Sequence, residues 1–274
     1  MPFIVIKGNY RPLAGVGDGD SLRFLADDLT LWSKLEGRPA ELGTGAQTKD
    51  TVQLRLEGID SIEKTASPPL DVQSRDNLRA RLGYVATTKP EPRGYILSRM
   101  TDDKSGRPIS FAFAGTINKP DGAEVRLDAA LLRKSANYKQ MNDGFAYPLY
   151  YNTLFADLRT EFNRALRRAR LGGRGYWPHD RTLQGVAIQG SAQLTTIAPI
   201  WPKLWRRLQE HFRNGGTLGD FADFLAAKNE RIDILSIMEE RGLQDVVKVS
   251  GGKVSLTVVP EDIRVRGKAG KRKP

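Results

Sequence analysis

Leu54-Arg55-Leu56-Glu57-Gly58-Ile59-Asp60-Ser61-Ile62-Glu63 is the stretch on which the reading of this chain turns. Its first half alternates apolar and charged residues, the period of a strand with one buried face. Arg55 and Glu57 then share one side while Leu54 and Leu56 take the other. After Gly58 the alternation stops, which frees Asp60 and Glu63 to converge on a ligand from a strand end.

Outward from this stretch, short strands divided by turns are predicted at 3–7, 21–25, 52–58, 95–100 and 107–115. Residues 26–50 read as a polar insertion anchored by Leu31 and Trp32. Helical spacing marks 71–82 and a short helix over 128–135. The most basic helix, 153–171, carries Leu154, Leu158, Phe162, Ala165, Leu166 and Ala169 as one stripe. Gly172-Gly173 stops it, and a domain edge is placed at 178.

Beyond the edge, Trp201, Leu204, Trp205, Leu208 and Phe212 form one helical face. Thr217 caps a second helix bearing Phe221, Phe224 and Leu225. A third helix is predicted around Ile234, Leu235, Ile237 and Met238, and a hairpin over 246–258 closes the unit. That order suggests a winged helix, although Glu239 and Glu240 suit a groove reader poorly; docking to a protein partner or self-association through 179–263 fits better. Residues 264–274 read as a basic, disordered tail.

The 274 residues include 43 Lys and Arg against 32 Asp and Glu, a net charge of +11 that favours a polyanionic partner. With no cysteine and two histidines, a thiolate or histidine-rich metal site is excluded, and any metal must be held by oxygen. No apolar run spans a membrane. The opening MPFIVIKGNY lacks a basic n-region and a cleavage site, so a cytoplasmic location is expected.

Three further segments hold the groups that phosphodiester hydrolysis needs: Gly17-Asp18-Gly19-Asp20-Ser21, Asp103-Lys104-Ser105-Gly106-Arg107, and the run from Phe145 to Tyr151. Taken singly, each also reads as turn chemistry or a surface pair.

In order, DGDS at 18–21, RLEGIDSIE at 55–63, DKSGR at 103–107 and LRRARLGGRGYW at 166–177 resemble the thermonuclease (staphylococcal-nuclease-like) family over residues 1–178. The resemblance implies an α+β fold: a five-stranded OB-type β-barrel with flanking helices. The C-terminal unit would be a smaller, mainly helical domain ending in its hairpin. It further implies Ca2+, with Mg2+ or Mn2+ as substitutes, held by Asp20, Asp60 and the Ser61 carbonyl with Asp18 nearby. Glu63 would orient or deprotonate water, Arg55 and Arg107 would grip the phosphate, Lys104 would meet a terminal phosphate, and Tyr150 and Tyr147 would pack on the nucleoside. The implied substrate is nucleic acid, single-stranded DNA above all and RNA besides, cut to 3′-phosphate and 5′-hydroxyl ends. The alternative is an inactive module that binds nucleic acid or protein as a scaffold. Ser21, Ser61, Ile62 and Ser105 depart from the family pattern, Ile62 by replacing a proline beside Glu63.

Overall fold

The computed structural model describes residues 2–15 and 17–267. Strands β1 (Phe3–Arg11), β2 (Arg23–Ala26), β3 (Val52–Gln53), β4 (Arg55–Leu56) and β5 (Gly58–Asp60) come first, then helix α1 (Leu70–Arg81). β6 (Arg93–Thr101), β7 (Pro108–Ala114) and the short β8 (Glu124–Val125) follow. Helices α2 (Ala129–Leu132) and α3 (Ala136–Asn142) precede β9 (Tyr147–Tyr151) and α4 (Ala156–Leu171).

The first sheet runs β3-β2-β1-β6-β7-β4. Its two ends are halves of one stretch, separated only by Leu54, so the sheet curls almost shut into a barrel. Leu54 N–H donates to the Leu22 carbonyl and Leu56 N–H to the Asp20 carbonyl, stitching the closing stretch to the loop before β2. The core around the barrel holds Val5, Ile6, Phe24, Val52, Leu54, Ile96, Leu97, Phe111 and Phe113, joined by Phe162 and Leu166 from α4. Leu31 and Trp32 anchor the 26–50 insertion in this core, as the sequence suggests.

The remaining elements are β10 (Val186–Ala187), α5 (Pro202–Arg213), α6 (Phe221–Lys228), β11 (Arg231–Ile234), β12 (Glu239–Gly242), β13 (Val247–Ser250), β14 (Lys253–Leu256) and β15 (Ile263–Val265). The "mainly helical" expectation needs correction here. α5, α6 and the β13–β14 hairpin lie where the sequence puts them. The third helix does not exist: Ile232 and Ile234 alternate with Arg231 and Asp233 in β11, and Ile237 and Met238 are exposed in the turn to β12. The spacing of Ile234, Leu235, Ile237 and Met238 fits one helical face, but only Ile234 lies in the strand and the other three fall in the turn that follows it. With that helix gone, so is the winged-helix order.

The edge at 178 does not separate two cores. A second cluster joins Trp201, Leu204, Trp205, Leu208 and Ile232 to Ile62, Ala66, Tyr147 and Leu149 from the barrel side. A sheet also crosses the edge, in the order β12-β11-β15-β9-β5, with β15 parallel to β9 through Arg264↔Tyr150 and Val265↔Tyr151. Arg264 and Arg266 pair with Asp233, so the segment read as a tail is ordered through 267; residues 268–274 of it lie outside the described residues. No helix among the described residues is long and apolar enough to cross a membrane.

Candidate active site

The loop before β2 and the end of β5 meet at one end of the barrel. Asp18 Oδ1 accepts the Ser21 hydroxyl at 2.7 Å and the Asp20 N–H at 3.3 Å, an Asx-type turn that fixes both acids. Gly19 permits the close approach: a Cβ there would lie 1.8 Å from Ser74 Oγ on α1 and 2.8 Å from Ser61 Cβ. Its carbonyl accepts from the buried Gln140 of α3 at 2.7 Å. Asp20 Oδ2 in turn accepts the Ser61 N–H at 3.4 Å, bringing the loop against the end of β5.

Asp60, the last residue of β5, is buried, while Glu63 is partly exposed on the following loop. The structure brings them together with Asp20, as the sequence pattern requires. Burial pushes the Asp20 carboxyl well up, and the neighbouring Asp18 and Asp60 push it further. Burial also raises Glu63, with Arg206 pulling the other way.

Arg55 opens β4, and Arg107 immediately precedes β7. β4 runs parallel to β7 with Arg55 opposite Ile109. The Arg55 guanidinium lies 4.8 Å from the centre of the Tyr151 ring. Burial opposes its charge, but Tyr151, Asp60 and Glu57 more than offset that and hold it raised. Arg107 Nε donates to Asp102 at 3.1 Å, and Asp102 also accepts from Ser105, which shapes the turn. Asp102, not the Asp103 of the motif, organises this hairpin; Lys104 sits exposed on it.

Two expectations fail. Tyr150 and Tyr147 are fully buried, the first bonded to Asn163 at 2.6 Å and packed near Phe162, the second bonded to Asp180 at 2.8 Å and stacked on Tyr176. Neither has a face free for a nucleoside. β9 alternates, and Tyr151, the neighbour passed over by the sequence reading, is the tyrosine beside Arg55.

The larger omission is Arg206, on α5. Its Nη1 donates to Asp60 Oδ1 at 2.8 Å and to Glu63 Oε1 at 2.7 Å, and its Nη2 donates to Asp60 Oδ2 at 2.8 Å. This paired fork matches carboxylate geometry. Burial works against the Arg206 charge, yet Asp60 and Glu63 hold it well above its ordinary value. The only sequence signal was its place on the flank of the Trp201–Phe212 stripe; nothing local pointed to a partner 146 positions away.

The donor set suits a hard cation: it is all oxygen and acidic, and Asp20 is raised by burial and by its acidic neighbours Asp18 and Asp60. Among the described residues, however, no three acidic or histidine side chains are grouped to hold an ion, because Asp60 and Glu63 face Arg206. No protein-family model matches this chain, and no curated protein is detectably similar to it.

Proposed function

We propose that the chain is a metal-dependent nuclease of the thermonuclease type, hydrolysing phosphodiester bonds in single-stranded DNA and in RNA. The observation that carries this reading is the convergence of Asp20, Asp60 and Glu63, drawn from two segments some forty residues apart, beside Arg55. The ordered match of four motifs to that family supports it. A surplus of eleven positive charges favours a polyanionic substrate.

Each residue has a chemical role in this reading. Glu63, raised by burial, would be the carboxylate that aims or deprotonates water. Arg55 and Arg107 would hold non-bridging phosphate oxygens through their forks, and Arg107 would meet the leaving 5′-oxygen. Tyr151 positions Arg55. Asp20 and Asp60, with the Ser61 carbonyl and Asp18 beside them, would hold Ca2+, or Mg2+ or Mn2+ in its place. Such an ion supplies charge stabilisation at the phosphate. Lys104 would approach a terminal phosphate from the exposed hairpin. The bonding of Asp60 and Glu63 to Arg206 is what the scaffold alternative has in its favour; against it, none of the acids or arginines is missing.

Full-length protein in millimolar calcium should degrade single-stranded DNA, stop on chelation and leave 3′-phosphate ends. Glu63→Gln should lower the rate by about a hundredfold or more. Absence of turnover with calcium, magnesium and manganese alike, together with salt-sensitive DNA binding, would replace the enzyme by the scaffold.

A further inference from the structure

We propose that the guanidinium of Arg206 and a divalent cation are alternative occupants of the acid cluster, so that the C-terminal region gates the metal site. This rests on reading Asp20, Asp60 and Glu63 as a cation site. The fork takes both oxygens of Asp60 and one of Glu63. A calcium ion on Asp60 would lie against the guanidinium bonded to both of its oxygens, and the two positive charges would repel at contact distance.

The helix is set so that Arg206 alone addresses the cluster. Trp201, Leu204, Trp205 and Leu208 fix α5 in the second core. The neighbouring cations turn elsewhere: Lys203 and Arg207 both pair with Glu230, at 2.9 and 2.6 Å. Arg206 points across the interface instead, beside a narrow cleft lined by Ile62, Glu63, Ala66, Ile200 and Trp205. Ile62, the residue that departs from the family's proline, is buried in this interface. Its side chain couples the Glu63 loop to the region that carries the arginine.

Exchange is physically easy. The Arg206 side chain is 34% exposed while that of Asp60 is 3% exposed. Swinging out therefore moves the guanidinium toward water, whereas the buried acid stays in place. One positive charge faces Asp18, Asp20, Asp60 and Glu63, and a divalent ion supplies twice that charge. High cation concentration displaces the arginine, and low concentration lets it close the site.

Calcium titration calorimetry on the full chain and its Arg206→Met variant tests this without reference to turnover. The variant should bind calcium about tenfold or more tightly. It should also melt below the wild type in chelator and regain that loss in saturating calcium. Equal or weaker calcium affinity in the variant overturns the proposal, as does failure of both proteins to bind calcium, magnesium or manganese. If the methionine variant does not fold, Arg206→Lys, which keeps the charge but not the paired fork, should bind calcium severalfold more tightly than wild type, and unchanged affinity overturns the gate. DNA cleavage separates the two readings. Tighter calcium binding with no cutting by either protein leaves the gate and removes the nuclease, while equal calcium dependence of cutting does the reverse.

Discussion

At the barrel rim, Asp18, Asp20, Asp60 and Glu63 share one hydrogen-bonded cation among the described residues, Arg206. In the C-terminal region each such acid meets two cations: Glu230 has Lys203 and Arg207, the latter shared with Glu210, and Asp233 has Arg264 and Arg266, the latter shared with Glu240. The titration behaviour differs too. Burial opposes ionisation of Glu230, but Arg207 and Lys203 overcome it and bring the carboxyl down to about 2. Asp233 is likewise lowered by its two arginines, against the pull of burial. Asp20 and Glu63 are raised. Glu230 and Asp233 are thus over-neutralised by their cations, while Asp20 and Glu63 are raised first by burial, a contrast of the kind that marks candidate functional sites.

The largest effect should come from removing the best-paired acid. Glu230→Gln leaves Lys203, 5% exposed in its side chain, without its carboxylate. A loss on the order of 2–3 kcal/mol is expected at pH 7, measured by urea denaturation. Because the folded carboxyl is depressed, its contribution is complete above the ordinary glutamate value of 4.5 and disappears as pH falls toward about 2. The mutant and wild-type curves should therefore converge in acid. A constant gap down to pH 2 would show that the pair is not what stabilises this region.

Asp20→Asn should move the other way. The folded carboxyl is raised, so ionising it costs stability at neutral pH, and the cost is relieved as pH falls through the raised value. An amide removes the charge and can donate to Asp18. The variant should gain on the order of 1 kcal/mol at pH 7, with the gain shrinking in acid, while losing cation binding. Destabilisation at neutral pH would mean that Asp20 is a structural acid after all, and the contrast between the two regions would collapse.

How much of this was legible in the sequence follows from the range of the interactions. The barrel could be read because its signals are local: alternation in 54–57, the Asp18–Ser21 turn and the stripe of α4 each sit within a dozen residues. The rim acids could be read because their motifs are short and ordered. Three things could not be. A buried tyrosine and a stacking tyrosine look alike in Tyr147-Pro148-Leu149-Tyr150-Tyr151, since only the neighbours reveal which faces water. The strand 231–234 is too short for its period to separate from a helix. Arg206 was hidden by distance, because an amphipathic helix shows which side is buried but not what its charged flank will touch.

The smallest difference should come from Glu161, and it sharpens the comparison. This acid on α4 is as low as Glu230, about 2, with Arg133 the largest cause and burial opposing. Arg133 and Arg164 both bond to it, at 2.7 and 3.0 Å, as does the Tyr138 hydroxyl. Yet those arginine side chains are 52% and 62% exposed, so water screens most of what they offer. Glu161→Gln should therefore cost under about 1 kcal/mol at pH 7, less than Glu230→Gln despite an equal depression, and the cost should vanish between pH 4.5 and about 2. Equal losses for the two variants would show that the number of cations, not their burial, sets what an acid contributes in this fold. A smaller loss for Glu161 makes burial of the cation the deciding quantity in this fold.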